Sequence, residues 1–105
     1  MKINANRIVN YKLSEADCQR INDRRRQIDN LPGLSIIQGN PVRPGDVVPA
    51  LVVKVWSDTC FNGQAFLDGY DSLWLCSVLQ GDQPGQWGWP KIDQIKAEGL
   101  ASKNA

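Results

Sequence analysis

Three consecutive arginines, Arg24, Arg25 and Arg26, stand in the stretch INDRRRQI of a chain whose formal net charge is only +1. Guanidinium groups present rigid, bidentate donors to phosphate and carboxylate, so the run points first to an anion. Four tryptophans, Trp56, Trp74, Trp87 and Trp89, offer flat faces for stacking. Trp56 stands before the polar stretch SDTCFNG, where it can stack a purine while Asn62 hydrogen-bonds its edge. Asn40 in GNP offers donors to a ribose or phosphate, and Arg43 in NPVRPGD is a natural phosphate partner. The chain has no histidine, which removes Ser-His-Asp and Cys-His nucleophile systems and the commonest metal ligand. HExxH, GxSxG, Walker and GxGxxG strings are likewise missing. Binding without catalysis is the expectation: not an enzyme, with no cofactor.

The remaining polar groups have plainer readings. Cys18, Cys60 and Cys76 are odd in number and form no CxxC pair, so they read as reduced thiols rather than a disulfide framework or zinc site. Asp68, Asp71 and Asp82 lack the DxDxDG spacing of a calcium loop and read as turn carboxylates. Trp87 and Trp89, two apart in QWGWP, read as cover for the open end of a sheet.

The elements that position these residues follow from capping and periodicity. Ser14 is an N-cap, with Asp17 at the reciprocal capping-box position, and Leu31-Pro32-Gly33 is a stop signal, so a helix is expected over 15–29. Cys18, Ile21, Arg25 and Ile28 share one stripe of that helix. Arg25 therefore stands within the buried face, Arg24 borders it on a ridge with Arg20, and Arg26 points to water. Near that face, Arg24 and Arg25 require a bound anion or a partner carboxylate. Residues 1–13 are expected to lie extended. Strands are expected at 34–39, 50–56, 64–68 and 73–79, with a turn at Pro44-Gly45-Asp46, a loop over 57–63 and a hairpin through 69–72.

The fold class is therefore α+β: an N-terminal helix packed on a small antiparallel β-sheet of about four strands, completed by oligomerisation because one helix cannot cover two faces. At 105 residues the chain is read as one domain over 1–90 with a polar, partly disordered tail over 91–105. No apolar run approaches the length of a membrane helix and no signal-peptide h-region is present, so a cytoplasmic protein is expected. Residues 1–43 carry eight basic and four acidic side chains, whereas 44–90 carry Lys54 against five aspartates. With a pI of about 7.7, that split suits self-association or a small anion better than long nucleic acid.

The order YKLSEADCQRINDRR, IIQGNPVRPGD, PALVVKVW, NGQAFLDGYDSLWLCSV and GQWGWP resembles a widespread family of short phage and prophage proteins over about residues 11–90. These are similar in turn to the first family of Thoeris anti-defence proteins. That resemblance implies a hexamer built from dimers. It would bind cyclic ADP-ribose isomers, second messengers of host immunity, and hold them uncleaved in the host bacterial cytoplasm; some members also hold cyclic trinucleotides of CBASS defence. Carried over, Trp56 would stack the adenine and Asn62 would bond the ribose or base. Arg43 would hold the pyrophosphate from a neighbouring subunit, and Arg24 and Arg25 would meet trinucleotide phosphates. Two other classes stay open: an oligomeric phage structural or assembly protein, and an inhibitor binding a host protein directly.

Overall fold

A computed structural model describes residues 2–29 and 39–103. The elements run β1 (Ile8–Lys12), α1 (Glu15–Asp29), β2 (Val47–Ser57), β3 (Cys60–Phe66), β4 (Ser72–Leu79), β5 (Trp87–Gly88) and α2 (Lys91–Lys103). The five strands form one sheet in the order β4-β3-β2-β1-β5, antiparallel at every paired neighbour. A bridge between Gln80 and Trp87 brings the end of β4 back toward β5. The sheet therefore curls on itself, and the inside of the curl is the core. The protein is α+β, as the sequence predicts.

Alternation along the strands fills that core. Val9 and Tyr11 from β1, Ala50 and Val52 from β2, Phe61 and Ala65 from β3, and Leu73, Leu75 and Val78 from β4 all point inward. Trp87 is fully buried at the seam, edge-on to both Phe61 and Trp89, and its indole N–H donates to the Thr59 carbonyl at 3.0 Å. The seam is thus closed by the largest apolar side chain available, with its one polar atom satisfied.

Helix α1 begins where its sequence predicts. The Asp17 N–H donates to Ser14 Oγ at 3.1 Å and the Ser14 N–H donates to Asp17 Oδ2 at 3.0 Å, the reciprocal pattern of a capping box. Asp17 also accepts from Tyr11 and, at 2.9 Å, from Arg20. Burial alone would raise the Asp17 pKa, but these hydrogen bonds outweigh it and hold the carboxyl below its ordinary range. Burial and the same contact with Asp17 push the Tyr11 phenol up. Asp17, Cys18, Ile21 and Arg25 are the buried positions of α1.

Several expectations need correction. The loop expected over 57–63 is only the two-residue turn Asp58-Thr59, and Asn62 and Gly63 belong to β3. Asn-Gly is no turn here because Gly63 serves a close approach: a Cβ there would lie 2.2 Å from the Leu51 carbonyl oxygen. Strand β2 starts at Val47, just after the turn in which Gly45 has φ 92° and Asp46 N–H donates to the Arg43 carbonyl. Residues 91–103 of the expected polar tail form α2, opened by bonds from Asp93 and Gln94 to the Pro90 carbonyl. The strand expected at 34–39 and the stop signal at 31–33 lie, apart from Gly39, outside the described residues.

Candidate functional site

The residues singled out by sequence fall into two clusters and one outlier. The first cluster sits at the outer face of β2 and β3. Trp56 is 59 % exposed, and its indole N–H donates to Asn62 Oδ1 at 3.0 Å. The same oxygen accepts the Ser77 backbone N–H at 2.6 Å. The Lys54 ammonium lies 5.4 Å from the Trp56 ring centroid, within cation–π range.

Three irregularities of the sheet converge on this spot. The β2–β3 register shifts between Val52 and Lys54 and again between Val55 and Ser57, and the β3–β4 register shifts between Phe61 and Gly63. Opposite Asn62, β4 supplies two residues, Cys76 and Ser77, and Ser77 takes φ 52°. Bulges turn side chains away from simple alternation and gather at functional sites. Here they carry Trp56 outward and present Asn62 to both the indole and the Ser77 amide. The result is a fixed, half-exposed indole with a cation beside it, suited to stacking a flat ring.

The second cluster lies where α1 meets the β3–β4 turn. Arg25, 8 % exposed, grips Asp71 with Nε at 2.8 Å and Nη2 at 2.9 Å, and its Nη1 donates to the Asn40 carbonyl at 2.8 Å. Asn40 in turn donates through Nδ2 to Asp68 at 2.7 Å, and its backbone N–H donates to the Asp68 carbonyl at 2.9 Å. Arg24 Nη2 reaches the Ser72 carbonyl at 2.8 Å and Asp71 at 3.4 Å. The hydrogen bond from Arg25 is the main reason the Asp71 carboxyl lies below its ordinary range, and the same bond raises Arg25. Of the alternatives left open for Arg25, a carboxylate of its own chain supplies the counter-charge. Arg26 is exposed and pairs with Asp23 on its own helix.

Arg43 is the outlier. It is exposed at the turn before β2, where its backbone N–H donates to Asp46 Oδ2 at 2.9 Å. Trp56 and Asn62 are thus brought together, as are Arg25, Asn40 and Arg24, but the chain joins neither cluster to the other by a hydrogen bond among its described residues.

Sequence reasoning missed Lys54 and Ser77. A signal for the second exists in LWLCSVL: the inward residues are Leu73, Leu75 and Val78, and the step of three after a step of two marks a bulge at Cys76–Ser77. No helix among the described residues is long and apolar enough to cross a membrane, and no group of three or more potential metal ligands is found among them. No family model matches the chain, and neither does a curated protein or a solved structure.

Proposed function

We propose that the protein is a binding protein for a small nucleotide, a phage anti-defence sponge that holds host immune signals such as cyclic ADP-ribose isomers without cleaving them. One observation carries this reading: the half-exposed Trp56 indole, fixed through Asn62 to the Ser77 amide at the meeting point of three bulges. A pre-set aromatic platform binds a purine with little ordering cost, which favours slow release. Lys54 supplies a nearby positive charge. Arg43, exposed and with no side-chain partner among the described residues, would reach the pyrophosphate from a neighbouring subunit of a hexamer built from dimers in the host cytoplasm. Arg24 and Arg25 would meet the phosphates of cyclic trinucleotides beside their contacts to Asp71.

The test is calorimetric titration with cyclic ADP-ribose isomers, followed by heat release and mass analysis of the ligand. Tight binding with intact ligand recovered, and its loss in Trp56→Ala, is the expected result. Cleaved ligand, or binding indifferent to Trp56, overturns it.

A second reading has its own support. Ile8, Leu51, Gln64 and Trp74 form one outward row across four strands, and Ile8, Trp74 and the nearby Phe66 are all large exposed apolar groups. Such a band suits subunit contacts in an assembling phage structural protein. Recovery of the chain from purified particles, without nucleotide binding, would select it.

A further inference from the structure

Between α1 and β4 runs a groove of about 600 Å³, within the size range of small-ligand sites. Its floor is formed by the almost wholly buried Ile21, Leu73 and Leu75, with Tyr11 and Asp17 beside them. Arg20 and Arg24 stand along the helical wall, and Trp74 and Cys76, which alternate outward from Leu73 and Leu75 on β4, border the groove at its outer rim. The two arginines are one helical turn apart, which sets their Cβ atoms about 5–6 Å from each other. Each is anchored by a single nitrogen: Nη2 of Arg20 on Asp17, and Nη2 of Arg24 on Asp71 and Ser72. A guanidinium has five N–H donors, so both remain able to donate while their stems are held. Trp74 is 48 % exposed.

We infer that this groove is a second binding site, for an aromatic phosphate of mononucleotide size, with the ring against Trp74 and the phosphate between Arg20 and Arg24. The inference goes beyond the proposed function: it shares Arg24 with the trinucleotide reading but uses neither Trp56 nor Asn62, so the groove and the Trp56 site each stand if the other fails. An apolar floor alone would suit many ligands. Paired, half-satisfied guanidiniums on one wall and an exposed indole on the other select for a molecule with a charged end and a flat end. Asp17 and Asp71 offset part of the positive charge, so an anion of one or two charges fits better than a polyanion.

Cys76 reports on the groove, and because it also lies opposite Asn62 the Trp56→Ala control separates the two sites. It is an exposed thiol on the groove wall, whereas Cys18 is buried and Cys60 half-buried. The experiment follows iodoacetamide alkylation of each cysteine by mass spectrometry while ADP or AMP is titrated, with adenosine and inorganic phosphate as half-ligands. The expected result is saturable protection of Cys76 by several-fold with ADP or AMP, Cys60 unchanged, and each half-ligand much weaker than the whole. Trp74→Ala and Arg20→Gln should each weaken the protection by about tenfold, as loss of one stacking or charged contact does. Trp56→Ala should leave it unchanged. Both groove residues substituted are exposed, and urea unfolding of each variant checks that the fold survives. No protection at low-millimolar ADP overturns the inference, as does protection that disappears with Trp56→Ala but survives the groove variants. That last outcome would uphold the Trp56 site while removing this one.

Discussion

Arginine with asparagine at one end of the molecule and tryptophan with asparagine at another began as equal candidates for a ligand. In the folded chain they differ in how completely their bonding is used. Arg25 spends three nitrogens on Asp71 and Asn40, inside a contact only 8 % exposed at the arginine. Trp56 spends its one N–H on Asn62 and leaves more than half its surface in water. A saturated buried charge joins elements of the fold; a fixed but uncovered aromatic ring leaves its face open to contact. Residue type does not separate the two roles, and the degree of satisfaction does.

Breaking the saturated cluster should cost most. Arg25→Met leaves Asp71 and the Asn40 carbonyl without their donor, and loss of one partner of a buried pair costs about 3–5 kcal/mol. Urea unfolding should show most of that loss. Arg25→Met combined with Asp71→Leu should recover much of it, because no orphaned charge remains. Trp56→Ala, by contrast, should change stability by less than about 1 kcal/mol. If Trp56→Ala unfolds the protein as Arg25→Met does, the comparison collapses and Trp56 is a structural residue.

Acid should separate the same two regions. The folded-state pKa values of Asp71 and Asp17 lie below their unfolded values, so their contribution is present above the unfolded value of about 3.9 and is lost as pH falls through the folded one. Stability should therefore be flat from about pH 7 to 5 and fall below that, by up to about 1.4 kcal/mol per pH unit for each proton taken up. Asp71→Asn should lower the plateau and make the acid limb shallower. A limb as steep in Asp71→Asn as in the parent chain would show that the Arg25 pair contributes nothing to acid stability.

Local rules were legible in the sequence where they act within a few residues. The capping box at Ser14 and Asp17, the Arg25 position on the buried stripe and the turn at Pro44-Gly45 all appear as the residues dictate. Asp71 as the partner of Arg25 was not legible, because 46 residues separate them and only the β3–β4 hairpin brings them together. The sequence places Asn62 in a loop because Asn-Gly is a strong turn signal; the demand for a glycine opposite the Leu51 carbonyl comes from a neighbouring strand. Pairing of Trp56 with Asn62 depends on bulges whose trace, the 73-75-78 spacing, marks a bulge only within a strand, and the sequence alone does not set the bounds of β4.

At the Trp56 end, the indole proposed as a purine platform can be removed at little structural cost. Base stacking on an aromatic side chain is worth about 1–3 kcal/mol. Trp56→Ala should therefore weaken nucleotide binding by about tenfold or more in calorimetry, while Trp56→Phe keeps most of the stack but loses the donor to Asn62. A Trp56→Phe variant that binds as weakly as Trp56→Ala would shift the weight from stacking to the Asn62 bond.

The smallest effect should come from Ser77. Its φ of 52° is a conformation that costs an L-residue roughly 1–2 kcal/mol and a glycine almost nothing. Ser77→Gly relieves that strain but gives the unfolded chain more freedom, worth about 0.5–1 kcal/mol in the opposite direction. A net gain of less than about 1 kcal/mol is expected. Because the bond to Asn62 comes from the backbone N–H, it survives the change, and nucleotide binding should not alter. Ser77→Val should do the reverse on both counts, since a β-branched residue resists this φ and would pull the amide away from Asn62. If Ser77→Val binds nucleotide as well as the parent chain, the Ser77–Asn62 bond does not fix the indole, and Trp56 must be held by Lys54 and the β2 bulge alone.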